Sequence, residues 1–271
     1  MIPVPIARPL PGRWPVGRLA SVEEAVAAIA LGEMVVVVDS KDRENEGDLV
    51  IAAERVTPEA VNFMATHGRG LICVPMLAER LEALGIPPMV RRNGDAHGTA
   101  FHVSVDHRDG STGISAADRA LTIRALADKR TDRRSLLQPG HVFPLEYQRG
   151  GVLKRAGHTE ASVDLTLMAG LSPAAVICEI ASDDGTMARL PELLKFAARH
   201  GLPVLAITDL IAYRRRSERL VERVSSARLP LDAGSFRAIG FRDHVDGREH
   251  VALVRGDLGS VDAPLIRMHS E

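Results

Sequence analysis

The sequence has only two cysteines, no excess of charge and no long apolar run. Cys73 and Cys178 each lie within an apolar stretch that predicts a buried strand, so a disulfide framework is not expected. The 34 basic and 35 acidic residues give a net charge of −1, which argues against general binding to nucleic acid or to an anionic membrane. Because no stretch of about 18 apolar residues occurs, no membrane span is expected. These absences predict a cytoplasmic protein in which any anionic ligand binds to a local cluster of residues.

The first 18 residues contain five prolines and no apolar segment of the signal-peptide type. This composition predicts a loose N-terminal arm without regular structure. At 271 residues, the chain is long enough for one large domain or for one domain with an appendage. We expect the main domain to occupy residues 19–216.

Apolar runs and helix-start signals alternate through this main domain. The runs MVVVVD, LVIAAE, GLICVPM, FHVSVD and AVICEI predict strands in a sheet that is covered on both faces. Helices are predicted to begin near Ser21, Thr57, Ser115 and Pro191, and Gly32 is predicted to end the first one. Regular alternation fails over residues 85–112 and 130–157, which are predicted to be long loops. The expected fold is α/β (α+β), a three-layer sandwich with a mixed central sheet flanked by helices.

The last part of the chain, residues 217–271, differs in character from the main domain. A charged run, RRRSERLVERV, predicts a helix end and a linker. The segment after it contains Asp-Gly turn signals between short apolar runs, which predict two or three antiparallel strands. We therefore expect a small C-terminal β element.

The segment from Asp39 to Asp48 has seven charged residues in ten and lies between two predicted buried strands. A charge run is usually a solvated face. Here, however, several carboxylates are crowded at a strand end, where a divalent cation would relieve their repulsion. Oxygen ligands of this kind favour magnesium or manganese over zinc. Arg43 of the same loop is a candidate to hold a phosphate or a sugar hydroxyl.

A second polar segment, Arg155 to Glu160, follows a glycine-rich turn and precedes an apolar helix. Thr159 is a candidate N-cap, so helix N–H groups and Arg155 would face an anion there. Capping also explains Thr159 without any function. Two interpretations of His158 have equal weight. It is either a metal ligand or acid/base group, or a turn residue held by hydrogen bonds.

Weaker signals come from a hydroxyl-rich turn and from isolated polar residues. The turn Ser111–Ser115 is explained by anion binding or, more simply, by helix capping. Glu179 lies inside an apolar run, so it should be at a strand end, paired or partly protonated. His141 and Cys73, taken alone, are more often structural than catalytic.

Six segments of the main domain are DRENEGDLV (42–50), GRGLICVP (68–75), STGISAADRA (111–120), PGHVFPL (139–145), RAGHTEASVDL (155–165) and ICEIASDDGTMAR (177–189). Together, and in this order, they resemble the motifs of one enzyme family, 3,4-dihydroxy-2-butanone 4-phosphate synthase. One departure is His102, where the family more often has threonine, and it leaves open an effect on contacts near Ser111.

The resemblance implies a lyase of riboflavin biosynthesis that converts D-ribulose 5-phosphate to L-3,4-dihydroxy-2-butanone 4-phosphate and formate. It also implies a homodimer with sites near the interface and two Mg²⁺ (or Mn²⁺) ions per site. The implied metal ligands are Glu44 and His158, and the implied catalytic groups are His141, Glu179, Asp48 and Glu46. The implied substrate contacts are Arg43, Asp48, Cys73, Ser111, Thr112, Arg155, Ala156, Gly157, His158, Thr159 and Glu179.

The implied chemistry agrees with these residue types. Removal of the C3 proton from a ketose phosphate leaves negative charge on oxygens that cations stabilise. Asp48 or Glu46 would take that proton, and His141 or Glu179 would serve later proton transfers. We expect the acidic loop to close over the substrate and exclude water.

The C-terminal segment resembles the opening of GTP cyclohydrolase II. In that family the zinc-binding cysteines lie beyond this point, so we expect neither zinc nor GTP hydrolysis, and a truncated or remnant domain. Two alternatives to the synthase are a decayed module that binds metal and sugar phosphate to support a partner domain, and a magnesium phosphatase, which would release inorganic phosphate.

Overall fold

A computed structural model describes residues 18–260 and 262–269. The arm predicted for the N-terminus therefore lies outside the described residues, except for Arg18. The chain divides into two compact units, one ending at Glu218 and one beginning at Arg219. No described helix has the length and apolar character that crossing a bilayer requires.

The first unit is built around a seven-stranded sheet. Its strands are β1 (Val35–Val38), β2 (Gly47–Ala52), β3 (Cys73–Met76), β4 (Val105–His107), β5 (Leu136–Glu146), β6 (Ala175–Glu179) and β7 (Val204–Ala206). They lie in the order β4-β5-β3-β6-β2-β1-β7. The β1–β7 and β3–β5 pairs are parallel and the other pairs are antiparallel. The expectation of a mixed sheet is confirmed.

Helices cover both faces of this sheet. They are α1 (Val22–Leu31), α2 (Pro58–Phe63), α3 (Ala78–Ala83), α4 (Ala116–Ala127), α5 (His158–Met168), α6 (Leu190–His200) and α7 (Ile207–Ser217). Along β1, alternate valines face opposite sides, because Val36 and Val38 pack with α2, α3, α4 and α6 while Val35 and Val37 pack with α1, α5 and α7. Burying each such side chain contributes roughly 1.5–3 kcal/mol. The three-layer sandwich is confirmed.

The helix-start signals place most helices correctly. Ser21 and Glu24 form a capping box, and Gly32 ends α1 in the left-handed region with a φ of 78°. Thr57 and Ser115 accept N-cap hydrogen bonds at the starts of α2 and α4. The prediction of Thr159 as an N-cap is wrong, because the extended Gly157 is the cap residue and Thr159 is buried in the first turn.

Two predictions of irregular structure are also wrong. The loop expected at 130–157 contains the eleven-residue strand β5. The strand predicted from FHVSVD, at the end of the 85–112 stretch, is present as the short β4, and it pairs with β5. The expected linker after α7 is partly a strand, since pairing begins at Val221.

The second unit contains a three-stranded antiparallel sheet. Its strands are β8 (Val221–Leu231), β9 (Gly234–Asp243) and β10 (Glu249–Val254), in the order β10-β9-β8. Gly247, with a φ of 73°, follows Asp246 in the turn between β9 and β10, as the Asp-Gly signal predicts. The small C-terminal β element is confirmed.

Candidate active site

The acidic loop connects the antiparallel strands β1 and β2 and is organised by Asp39. Its Oδ2 atom accepts from the Glu44 N–H (3.0 Å) and from Arg43 Nη1 (3.0 Å), while its Oδ1 atom accepts from the Glu46 N–H (2.9 Å). Arg43 Nη1 also lies 2.8 Å from Glu44 Oε2. The charged segment is therefore an ordered turn in which one buried carboxylate fixes the positions of the others.

His158, the first residue of α5, faces two carboxylates that the loop presents. Its Nδ1 atom lies 3.5 Å from Glu44 Oε2, and its Nε2 atom lies 4.0 Å from Asp48 Oδ1. His158 and Asp48 are only 5% and 3% exposed. Both His158 Nε2 and Asp48 Oδ1 are buried without a hydrogen-bond partner. Two neighbouring buried polar atoms without partners destabilise the folded protein unless a ligand interacts with them.

Burial and mutual charge shift the pKa values of this cluster. Burial is the main cause that raises the pKa of the Asp48 carboxyl to about 7, with a further contribution from Glu179. Burial lowers the pKa of the His158 imidazole, but the charge of Asp48 and the hydrogen bond to Glu44 outweigh it and raise that pKa to about 9. The hydrogen bond to His158 lowers the pKa of Glu44 to about 2. The Glu44 carboxylate is therefore ionised at neutral pH.

The same residues fit a divalent cation. Ligand atoms of Asp39, Glu44 and His158 lie within 4.8 Å of one another, and the unsatisfied atoms of Asp48 and His158 lie beside them. Carboxylate oxygens are the ligands that Mg²⁺ and Mn²⁺ prefer. Because both oxygens of Asp39 already accept hydrogen bonds, Glu44 and His158 are the better placed ligands.

Glu179 and Cys73 lie on strands next to this cluster. Glu179 is the last residue of β6 and pairs in register with Asp48, so it is at a strand end as predicted. Its Oε2 atom accepts from the Leu71 N–H (2.8 Å), and a Cβ at Gly70 would overlap its carboxylate. Cys73 is buried, and burial raises the pKa of its thiol, so this cysteine is a packing group rather than a thiolate.

Gly157 forms a small cradle at the start of α5. A Cβ at this position would lie 2.6 Å from Arg155 Nη1, 2.9 Å from Glu160 Oε2, which Arg155 neutralises, and 3.0 Å from Arg43 Nη2. Because Gly157 has no side chain, the first N–H groups of α5 lack a side-chain cap. Two guanidinium groups therefore flank an uncapped helix N-terminus of the kind that binds anions.

The Arg155 side chain also fixes its surroundings. Its Nη1 atom pairs with the buried Glu160 (2.6 Å), Nη2 donates to Thr99 Oγ1 (3.0 Å) and Nε donates to the His97 carbonyl (3.0 Å). Three of the five N–H groups of a guanidinium are used in this way. The other two are left for a ligand.

His141 belongs to a second cluster, on β4 and β5. Its Nδ1 atom lies 2.7 Å from Asp106 Oδ2, and its N–H donates to Asp106 Oδ1 (2.9 Å). Gly113, with a φ of 83°, packs on this pair, and a Cβ there would lie 2.6 Å from His141 Nδ1. The His141 side chain is 44% exposed. Asp106 therefore fixes the ring of an accessible histidine.

Ser111 and Thr112 lie in the exposed turn that leads to α4. Ser111 Oγ donates to Asp118 Oδ2 (2.6 Å), and the Ser111 N–H donates to Asp118 Oδ1 (3.0 Å). These hydrogen bonds to the first turn of α4, together with Ser115 as the N-cap of that helix, support the capping explanation of the turn.

The candidate residues form two groups in the described chain. The first group surrounds His158 and contains Arg43, Glu44, Glu46, Asp48, Cys73, Arg155, Ala156, Gly157, Thr159 and Glu179. The second contains Ser111, Thr112 and His141. Across residues 18–260 and 262–269, no hydrogen bond or ion pair joins the second group to the first.

His102, the residue that departs from the family pattern, is buried next to the last residue of β5. Its Nδ1 atom lies 2.8 Å from the Ile86 carbonyl oxygen and its Nε2 atom lies 3.0 Å from Glu146 Oε2. These contacts hold the segment before β4 in place. They do not involve Ser111.

Sequence reasoning missed several residues that support the site. Asp106 holds His141, and Arg189 donates to the backbone of the acidic loop. A buried ion pair between Asp164 and Arg214 (2.5 Å) also holds the turn before α5, because Arg214 donates to the Gly150 carbonyl (3.1 Å). The only available signal was that Arg189 and Asp164 fall inside segments that resemble family motifs.

Comparison with protein families gives two matches. Residues 23–213 match the model of 3,4-dihydroxy-2-butanone 4-phosphate synthase, and residues 222–271 match the model of GTP cyclohydrolase II. Both resemblances seen in the sequence are thereby confirmed. The first match contains every candidate site residue.

Similar curated proteins are larger than this chain. The riboflavin biosynthesis protein RibBA of Bacillus subtilis is 53% identical over 251 residues, which are 92% of this chain and 63% of that protein. The RibBA protein of Salinispora arenicola is 55% identical over 252 residues, 93% of this chain and 60% of its own length. The chain thus spans about three fifths of the relatives it matches.

Solved structures agree with these matches. A 3,4-dihydroxy-2-butanone 4-phosphate synthase in complex with two magnesium ions has a TM-score of 0.71 and 46% identity, over 73% of this chain and 98% of its own. RibBX, a two-domain synthase of this kind from A. baumannii, has a TM-score of 0.82 and 49% identity, over 88% and 70%. The chain therefore belongs to the 3,4-dihydroxy-2-butanone 4-phosphate synthase family.

Proposed function

We propose that the first unit is a 3,4-dihydroxy-2-butanone 4-phosphate synthase, a lyase that converts D-ribulose 5-phosphate to L-3,4-dihydroxy-2-butanone 4-phosphate and formate for riboflavin biosynthesis. The observation that carries the proposal is the pair of unsatisfied buried atoms, Asp48 Oδ1 and His158 Nε2. They lie 4.0 Å apart beside Glu44, and His158 is the first residue of the helix whose N-terminus forms the Gly157 cradle. A cation-binding centre next to an anion-binding centre suits a sugar phosphate.

The substrate phosphate binds at the Gly157 cradle in this proposal. The uncapped N–H groups of α5 and the positive end of the helix favour an anion there. Arg43 and the two unused N–H groups of Arg155 add charge-assisted hydrogen bonds. The sugar chain then extends toward Asp48, Glu179 and His158, with Cys73 packing beneath it.

We assign proton removal from C3 to Asp48 rather than to Glu46. Burial raises the pKa of the Asp48 carboxyl to about 7, which suits a base that works near neutral pH. Glu46 is more exposed and lies 3.8 Å from Arg189. Glu179 and His141 serve the later proton transfers, and closure of the acidic loop excludes water during the rearrangement.

Two divalent cations per site, Mg²⁺ or Mn²⁺, are part of the proposal, with Glu44 and His158 as protein ligands. When bound, they would stabilise the negative charge that develops on the substrate oxygens. The solved synthase with two magnesium ions supports this number. A cytoplasmic location is proposed as well, and two free buried cysteines agree with it.

We further propose a homodimer in which the His141 cluster completes the site of the partner. His141 is exposed, and no hydrogen bond or ion pair of the described residues joins it to the His158 cluster, whereas the proposed reaction uses residues of both clusters. Two large apolar side chains near it are also exposed, Ile114 at 54% and Leu137 at 43%.

Incubation of the protein with ribulose 5-phosphate and MgCl₂ tests the activity. The synthase should release one formate for each substrate consumed and no inorganic phosphate. Release of phosphate without formate would identify a phosphatase. If neither product forms at any cation concentration, the site is a binding module only. Glu44→Gln, with similar side-chain volume and no charge, is the matched inactive control.

Mixing two inactive variants tests the shared site. Glu44→Ala and His141→Asn each damage a different cluster, so a mixed dimer retains one intact site if the clusters come from different subunits. Unfolding and refolding the two together should restore up to about a quarter of the wild-type activity, by random pairing of subunits. Absence of any recovery, with dimers present, would place both clusters in a site within one subunit.

A further inference from the structure

The acidic loop reverses direction at Asn45, which has a φ of 56°. Residues other than glycine rarely adopt this left-handed conformation, although asparagine does so more readily than most. The turn separates the two neighbouring carboxylates. Glu44 faces His158 (3.5 Å), whereas Glu46 faces Arg189 (3.8 Å). The direction of Glu44 therefore depends on keeping Asn45 in this conformation.

Arg189 contacts the backbone on both sides of this turn. Its Nη1 atom donates to the Glu44 carbonyl (2.9 Å) and to the Asn45 carbonyl (2.5 Å). Its distance from the Glu46 carboxylate, 3.8 Å, is longer than a hydrogen bond. The shorter contacts are to the chain itself. The guanidinium therefore acts on the conformation of the loop more directly than on the charge of Glu46.

The fold brings Arg189 to this position through a short hairpin after β6. The Ile180 N–H donates to the Gly47 carbonyl (2.9 Å), and the Ala188 N–H donates to the Ile180 carbonyl (3.0 Å). Leu193, in the first turn of α6, lies so close to Gly47 that a Cβ there would come within 2.5 Å of it. The hairpin and α6 thus hold one end of the acidic loop against the protein.

The N-terminus of α6 also orients Arg189 itself. The Arg189 N–H donates to Glu192 Oε2 (3.2 Å), as in a capping box. The Arg189 side chain is 45% exposed, so its removal leaves no cavity in the core. Its contacts with the loop are therefore its main contribution in this structure.

We propose that Arg189 is a positioning residue that holds the Glu44–Asn45 turn so that the Glu44 carboxylate faces His158 and its cation. This inference rests on the proposed function, because it takes Glu44 as a metal ligand. Partners that orient metal ligands typically alter metal affinity by about 10–100-fold when they are lost. The expected defect is weaker cation binding, with little change in the chemistry once the cation is bound.

Two variants test this role. Arg189→Met removes every donor, and Arg189→Gln keeps an amide donor on a stem too short to reach both carbonyls. Arg199→Met, an exposed residue in the last turn of the same helix, is the matched control. Circular dichroism and thermal unfolding would establish that each variant is folded. Arg189→Gln carries the test if Arg189→Met does not fold.

The first readout is Mn²⁺ affinity, measured by electron paramagnetic resonance of the free ion. We expect about tenfold weaker binding in Arg189→Met and Arg189→Gln and wild-type binding in Arg199→Met. The Mg²⁺ concentration for half-maximal formate release should rise by the same factor, while kcat at saturating Mg²⁺ falls less than about threefold. A large loss of kcat at saturating Mg²⁺ would contradict a positioning role.

The second readout does not need the cation. Hydrogen exchange of the metal-free protein should be at least about tenfold faster over residues 40–47 in the Arg189 variants, because the Glu44 and Glu46 N–H groups lose their stable bonds to Asp39. Arg189→Lys, which keeps a charged donor, should restore most of the protection. Wild-type exchange and wild-type Mn²⁺ affinity in Arg189→Gln would overturn the proposal.

The two proposals fail in different ways. If the wild-type protein binds Mn²⁺ but releases no formate, the proposed activity is wrong. The Mn²⁺ affinity and the hydrogen exchange of the Arg189 variants then still test the positioning role. If the wild-type protein releases formate and the Arg189 variants exchange and bind like wild type, only the positioning role is wrong.

Discussion

The acidic-loop cluster and the His141 cluster lie in the same unit but satisfy their polar groups in opposite ways. His158 and Asp48 are almost fully buried, and each retains an atom without a partner. His141 is 44% exposed, and its Nδ1 atom is already paired with Asp106. The acidic-loop cluster is therefore buried and has polar atoms without partners, whereas the His141 cluster is exposed and its Nδ1 atom is paired.

This difference indicates what each cluster needs in order to work. A buried unsatisfied pair is retained at a cost in stability, which is typical of a site that a ligand completes. An exposed histidine with a fixed ring is ready for proton transfer, but water competes with its substrate until another surface covers it. We therefore expect the acidic-loop cluster to govern cation binding and the His141 cluster to serve the later proton transfers without affecting cation affinity.

Loss of a metal ligand should have the largest effect. Glu44→Ala removes a carboxylate that faces His158, and the cation stabilisation at stake is several kcal/mol. Formate release should therefore fall by about 1000-fold or more, since each 1.36 kcal/mol is a factor of ten. Thermal unfolding would measure separately what the lost contacts with Arg43 and His158 contribute to stability. Activity near wild type would refute the ligand assignment.

Replacement of His141 should reduce turnover without changing cation affinity. His141→Asn keeps a side chain that can hydrogen-bond to Asp106 but removes the titratable ring. Loss of a general acid or base lowers the rate by about 100-fold or more. Calorimetric titration with Mn²⁺ should give the wild-type affinity. A weakened affinity would show that the two clusters are not separate in function.

Asp106→Asn should have an intermediate effect. The ring of His141 would lose the charged partner that fixes its tautomer and orientation. We expect a decrease of about 30-fold in kcat, smaller than the effect of losing the ring itself. A kcat near that of the wild type would indicate that Asp106 only supports the fold.

The pH dependence of cation affinity sharpens the same comparison. His158 must lose its proton to bind a cation, and its pKa is raised to about 9 in the metal-free protein. Below pH 9 the proton competes, so the affinity for Mn²⁺ should fall by about tenfold for each unit that the pH decreases. His141→Asn should leave this slope unchanged. Calorimetry in buffers with different ionisation enthalpies would count the released protons.

Local signals in the sequence predicted much of the fold. The capping box at Ser21 and the valine run of β1 depend on neighbours within a few residues, so both were placed correctly. Strand β5 was missed because its first half, Leu137–Gly140, is largely exposed and contains proline and glycine. Its pairing with β4 exists only in the folded chain. The start of α5 was misplaced by two residues because Thr159 is a stronger capping signal than Gly157.

The site could be predicted only in part for the same reason. The acidic loop is conspicuous in the sequence, and the resemblance to a family brought His158 and Glu179 to it. Asp106 contacts a residue 35 positions away, and Arg189 contacts residues more than 140 positions away. No periodicity or spacing links such residues. Their roles become visible only when the hairpin after β6 and the β4–β5 pair bring them into contact.

The proposed site depends on Glu44 and His158 holding a divalent cation beside the buried Asp48 carboxyl. Anomalous diffraction from crystals soaked in MnCl₂ tests it most directly, because manganese can be located without assumptions about its ligands. We expect an anomalous peak within about 2.0–2.3 Å of Glu44 and His158, and its loss in Glu44→Ala crystals. Strong manganese peaks elsewhere, with none between Glu44 and His158, would contradict it.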